Sequence, residues 1–208
     1  MGLLSILLES PMTFLLVAIP LLYAVIFHEI AHGLVAYRMG DPTAKFMGRL
    51  TFNPLKHLDP LGTIMIFIVG FGWAKPVPVN FANLGDSRKA LIAVSAAGVV
   101  TNMILAFIAL FLLQLLQPAE DSVPSLALTY FAYINIILAA LNLIPIPPLD
   151  GSKILMGFLP ASFQHILVRL EPFGFFIIIA LLFLGVLTPV IRAIFNVIYA
   201  LIGILLPV

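Results

Sequence analysis

Long apolar runs separated by short polar clusters dominate the pattern of this 208-residue chain. Residues 2–10 form a short apolar piece ending at Ser10-Pro11, too short to cross a bilayer and expected at its interface. The first full span covers about residues 14–37. It stops at Arg38-Met39-Gly40-Asp41-Pro42, where glycine and proline end a helix. The apolar run over 61–73 is short for a crossing and rich in glycine, which predicts a re-entrant or membrane-embedded excursion. Residues 75–80, Lys-Pro-Val-Pro-Val-Asn, read as extended chain because of their prolines. Further spans are predicted over about 90–116, 126–146, 173–190 and 193–208, with loops at 117–125 and 148–172. The expected fold class is all-α and polytopic, with five to six transmembrane helices and one short re-entrant or extended membrane-associated segment. No internal repeat stands out, so residues 1–208 read as one domain, with a core over about 14–153 and C-terminal helices over about 173–208.

Charge placement orients these spans. The loops at 38–60, 75–89 and 148–172 carry Lys and Arg, whereas 117–125 carries two acids and neither base. The basic loops are therefore expected on the cytoplasmic side and 117–125 outside. That gives five spans and an external amino terminus if 61–73 does not cross. No basic n-region precedes the first run, so no cleavable signal is expected.

Composition strengthens the membrane reading. Hydrophobic residues make up 62% and charged residues 9%, against about a quarter charged in soluble domains. Mean hydropathy is +1.20. The protein is expected to be integral to the lipid bilayer and multi-pass. A net charge of +1 leaves no basic stripe, which excludes a nucleic-acid partner. The chain has no cysteine, so any metal ligands must be histidine or carboxylate.

Chemistry enters through five residues inside the first span, His28-Glu29-Ile30-Ala31-His32. Four residues is about one helical turn, so both imidazoles leave the same face and can bind one tetrahedral zinc ion. The glutamate between them can act as general base on a water at the ion. A third protein ligand must reach the same depth. Asp150 closes the stretch Asn142-Leu143-Ile144-Pro145-Ile146-Pro147-Pro148-Leu149-Asp150-Gly151, whose prolines break a membrane helix at a point where a carboxylate can turn inward. The other role open to Asp150 is to cap the helix that restarts at Gly151.

Three motifs in this order resemble the site-2 proteases, intramembrane zinc metalloproteases. They are the HExxH, Ala97-Gly98-Val99-Val100-Thr101-Asn102 in a middle span, and Asn142 to Gly151. Asn53-Pro54, residues 57–63 and residues 72–80 look like the compact bacterial and archaeal subgroup, without PDZ or CBS domains. The resemblance implies one zinc per chain held by His28, His32 and Asp150, with Glu29 catalytic. It places Asn102 and Asn142 beside the site, as support for substrate or oxyanion, and the protein in a prokaryotic cytoplasmic membrane. The implied partner is a transmembrane protein substrate, cut in or near its membrane segment. One departure is Val99, where the family usually has proline after the glycine.

Other readings stand beside these. Asn102, Asn135 and Asn142 can serve as ordinary hydrogen bonders between membrane helices, and Asn135 is read as packing. His57 is read as an interfacial loop residue, or as an extra metal contact or gate. Residues 75–80 are either a connector or an edge on which an unwound substrate strand can pair. A metal transporter would also place ionisable residues at depth, though it needs a polar path to the opposite surface. An inactive family member that binds transmembrane partners is the remaining alternative.

Overall fold

The computed structural model describes residues 2–70, 72–85 and 88–206. Its helices are α1 (Leu3–Glu9), α2 (Pro11–Arg38), α3 (Thr43–Phe46), α4 (Pro60–Val69), α5 (Arg88–Leu116), α6 (Val123–Asn142), α7 (Asp150–Phe158), α8 (Ala161–Phe183) and α9 (Leu187–Leu205). Among the described residues there is no strand. Five helical segments, in α2, α5, α6, α8 and α9, are long and apolar enough to cross a membrane.

Local sequence explains the helix ends near the site. Ser10 accepts from the Thr13 amide with Pro11 in the first turn, so α2 begins three residues before the expected span. At its far end Gly40 takes a φ of +108°, and the Asp41 amide returns to the Ala36 carbonyl. Pro20 sits inside α2, a position membrane helices tolerate.

The run after residue 60 does not cross. Asp59 caps α4 by accepting from the Gly62 amide, and Gly70 ends it in the left-handed conformation at φ +83°. Ten residues rise only about 15 Å, half of an apolar core of about 30 Å. The Lys75 amide then donates to the His57 carbonyl at 2.8 Å, so the excursion leaves and returns at one place. Gly62 and Gly72 permit that closure: a Cβ on Gly62 would lie 2.0 Å from the Trp73 carbonyl oxygen.

Helices α2, α5 and α6 pack on one another to form the centre, with α7 against α5 and α9 against α6. Their contacts run through small residues, including Ala106 and Ala109 of α5 and Ala132, Ala139 and Ala140 of α6, all buried. Such residues let membrane helices approach closely where no hydrophobic drive separates protein from lipid. Ile198 and Ile202 of α9 close this cluster beside Val99 and Ile136.

The C-terminal third departs from expectation. The stretch 148–172 is not a loop: it holds α7 and the first half of α8, with Arg169, Glu171 and Pro172 inside the latter helix. The last two spans meet at a turn around Gly185, φ +74°, and not near residue 191. A charged pair beside a proline resembles a boundary, yet all three lie exposed on a helix that continues through them.

Candidate metal centre

His28 and His32 lie one turn apart on α2 and are buried. Their Nε2 atoms are 3.1 Å apart, and each lies 3.1 Å from Asp150 Oδ2. A tetrahedral ion with bonds of about 2.0–2.1 Å needs ligand atoms about 3.3–3.4 Å apart, so this triangle is close to one face of its tetrahedron. Among the described residues, this is the group of three whose ligand atoms converge for a metal.

Asp150 arrives by a tight reversal of the chain after α6. It is the first residue of α7, with Leu149 at the cap position before it, so Asp150 is not the capping residue. Gly151 lets the reversal close, because a Cβ there would sit 2.3–2.6 Å from backbone atoms of Leu143 and Ile144. The Ser152 hydroxyl donates to the Leu149 carbonyl and fixes the first turn of α7.

Hydrogen bonds behind the rings decide which nitrogen faces Asp150. His32 Nδ1 lies 2.7 Å from the Val94 carbonyl oxygen, which only accepts, so Nδ1 carries the proton. His28 Nδ1 lies 2.6 Å from Asn102 Oδ1. The Asn102 amide nitrogen donates to the Ala24 carbonyl at 3.2 Å and to Asn135 Oδ1 at 2.7 Å, which orients its oxygen toward His28. With both rings neutral, as metal ligands must be, both Nε2 atoms present lone pairs to a carboxylate oxygen that is buried and has no hydrogen-bond donor. Three acceptors facing one another without a proton between them repel, and a cation relieves that repulsion. The donor set, two imidazoles and a carboxylate, suits zinc.

Gly98 on α5 keeps the centre open. A Cβ there would lie 2.4 Å from His28 Cε1 and 2.5 Å from both Nε2 atoms. Gly98 and Asn102 are four residues apart and share one face of α5, the first making space and the second setting a ring. Sequence reading passed over Gly98 as a ligand-shaping residue, although a glycine one turn before a buried asparagine is the available signal.

Glu29, next to His28 on α2 and half-buried, is not one of the three converging ligands, and its Oε2 accepts from the Val77 amide at 2.7 Å. The remaining candidates lie elsewhere. Asn102 spends its oxygen on His28 and both amide hydrogens on Ala24 and Asn135, so it has no donor left for a substrate. Asn135, read as packing, completes this chain by donating to the Phe131 carbonyl. Asn142 donates to the Leu138 carbonyl of its own helix. His57, read as an interfacial loop residue, follows a short turn over Pro54–Lys56 and is buried; its Nε2 lies 2.7 Å from the Thr51 carbonyl oxygen, and it stands outside the ligand triangle.

The family profile of peptidase family M50 matches residues 16–125 and 117–185. The chain belongs to peptidase family M50, the site-2 proteases. Similar proteins include "Putative zinc metalloprotease YwhC" of Bacillus subtilis, 42% identical over 170 residues, which are 78% of this chain and 78% of the relative. "Putative zinc metalloprotease Rip2" of Mycolicibacterium smegmatis is 30% identical over 81% of this chain and 67% of its own length. "Putative zinc metalloprotease MJ0611" of Methanocaldococcus jannaschii is 29% identical over 62% of this chain and 63% of its own length. No solved structure matches. This M50 chain is thus a metalloprotease with zinc as its cofactor, and its five apolar helices make it a multi-pass integral membrane protein.

Proposed function

We propose that this chain is an intramembrane zinc endopeptidase that hydrolyses peptide bonds in or near transmembrane segments of other membrane proteins. The observation that carries the reading is the depth of the ligand triangle. His28 lies ten residues, about 15 Å, from the end of α2, a helix long and apolar enough to cross a bilayer. His28, His32 and Asp150 would hold one zinc, and a substrate that reaches it must come within the membrane.

Bound zinc supplies a Lewis acid that polarises the scissile carbonyl and makes water more acidic. Glu29 takes a proton from water as the water oxygen attacks the carbonyl carbon. It returns that proton to the departing nitrogen as the C–N bond breaks. Asn102 and Asn135 hold His28 in the tautomer that keeps Nε2 available, and the Val94 carbonyl does the same for His32. Asn142, partly exposed at the end of α6, is the asparagine left to support substrate. The polar chain running back from His28 ends on the Ala24 and Phe131 carbonyls, which favours ligand orientation over an ion conduit.

The proposal includes one domain and a prokaryotic cytoplasmic membrane, with the basic loops on the cytoplasmic side. Purified protein in detergent, incubated with a test transmembrane substrate with and without a chelator, decides the function. Chelator-sensitive cleavage inside the membrane segment is the expected result. A protein that holds zinc and cuts no such substrate overturns the proposal.

A further inference from the structure

Residues 75–80 form a strap across the C-terminal half of α2, and its bonds are not those of a plain connector. Prolines at 76 and 78 alternate with Lys75, Val77 and Val79. Neighbouring residues of an extended chain direct their N–H groups to opposite edges, and proline has none. From 75 to 79 the donors therefore belong to one edge, and at Lys75 and Val77 that edge is bonded to the protein. Lys75 donates to the His57 carbonyl at 2.8 Å, and Val77 donates to Glu29 Oε2 at 2.7 Å. The opposite edge offers no donor at 76 or 78, which makes the strap a poor template for strand pairing.

The strap is fastened on both sides of that central bond. Arg49, buried, donates from Nη2 to the Lys75 carbonyl at 2.8 Å. Asp41, fully buried, accepts from the Asn80 amide at 2.7 Å. Between them the Val77 side chain is buried over Gly33, where a Cβ would lie 2.8 Å from Val77 Cγ1. Gly33 is one turn beyond Glu29 on the same face, so the glycine lets the strap come down far enough to reach the carboxylate.

We propose that the Val77 N–H is the positioning group for Glu29: it holds Oε2 and so leaves Oε1 as the oxygen that takes and returns the proton. The inference rests on the protease reading given above. A free glutamate side chain has three rotatable bonds; one directed bond at its tip, from a strap anchored at Arg49, His57 and Asp41, selects among their settings. Misplacing a reacting group by about 1 Å can cost roughly a hundredfold in rate.

The test replaces Val77 by its α-hydroxy acid in the full chain, turning the 76–77 amide into an ester that lacks only this N–H. The expected result is unchanged zinc content, unchanged KM for a test transmembrane substrate, and a kcat roughly ten- to a hundredfold lower. Equal kcat overturns the inference, as does a loss confined to KM, which would make the strap a substrate-binding element. Loss of zinc would also overturn it. A second measurement does not depend on turnover: hydrogen exchange at the Val77 amide should accelerate in Glu29→Ala, and unchanged exchange would show that the bond is not made. A parent protein that binds zinc and cuts nothing defeats the protease reading and this inference together, whereas a cutting parent matched by its ester defeats this inference alone.

Discussion

His28 Nδ1 donates to Asn102 Oδ1 across 2.6 Å, and this one bond between α2 and α5 determines which nitrogen of His28 is free to ligate. Removing the acceptor allows the other tautomer and a rotated ring. Asn102→Leu should weaken zinc binding by roughly ten- to a hundredfold, the usual cost of losing a partner behind a ligand. Asn135→Leu should weaken it less, because Asn102 keeps its bond to Ala24. Competition against a zinc chelator measures both, and equal binding by the parent and Asn102→Leu would remove Asn102 from the centre.

Gly98 should tolerate no side chain. The Cβ of Gly98→Ala would stand 2.4–2.5 Å from both imidazoles, so the rings or α5 must move. Overpacking of this kind costs typically about 1–3 kcal/mol, and here the displaced atoms are the ligands themselves. The expected outcome is at least a tenfold loss of zinc affinity with the helical content retained, read by metal analysis after equilibration in buffered zinc and by far-ultraviolet circular dichroism.

Glu29→Gln separates the base from the metal. Its amide oxygen can still accept from Val77, and no ligand is removed, so zinc content should match that of the parent. Cleavage should fall by at least about a hundredfold, the lower end of what a general base contributes. Parent-like cleavage by this variant would exclude Glu29 as the base.

Much of this arrangement was legible from short-range pattern. The spacing of His28 and His32 is a property of any helix, and the proline break before Asp150 marks where a carboxylate can turn inward. Ends of spans were less legible, because Arg169, Glu171 and Pro172 resemble a loop until α8 is seen to run through them. The Asn102 to Asn135 chain depends on how two helices are rotated against each other, which no local signal encodes. Burial of His57 is of the same kind: its place follows from the return of the chain at Lys75, eighteen residues later.

Asp41 should carry a pH-dependent share of stability. Burial alone would raise its carboxyl, but hydrogen bonds from Thr43, Asn83 and Asn80 outweigh that and hold it below its ordinary value. A lowered folded-state value means that the unfolded chain takes up the proton first. The stabilisation is therefore complete above the ordinary aspartate value of about 3.9 and is lost as pH falls through the lower folded value. Asp41→Asn should be less stable than the parent at neutral pH by about 2 kcal/mol, typical of hydrogen bonds to a charged group, and denaturant unfolding measures the difference. The gap to the parent should narrow below about pH 4. A gap independent of pH would mean that the charge contributes nothing.

The return of the chain at Lys75 also sets a topology. If the run over 61–73 crossed the membrane, the Lys75 amide could not reach the His57 carbonyl, so the segments before and after it must lie on one side. Helix α5 then crosses once, its 29 residues spanning about 43 Å against an apolar core of about 30 Å. Because the chain has no cysteine, single introduced thiols report on position without background. Lys56, Ala82 and Glu120 are exposed, which makes them suitable sites. In sealed vesicles Lys56→Cys and Ala82→Cys should react from the same side, the cytoplasmic one by the distribution of Lys and Arg, and Glu120→Cys from the other. Labelling of Lys56→Cys and Ala82→Cys from opposite sides would make α4 part of a crossing and undo the re-entrant hairpin; labelling of all three from one side would remove α5 as a span.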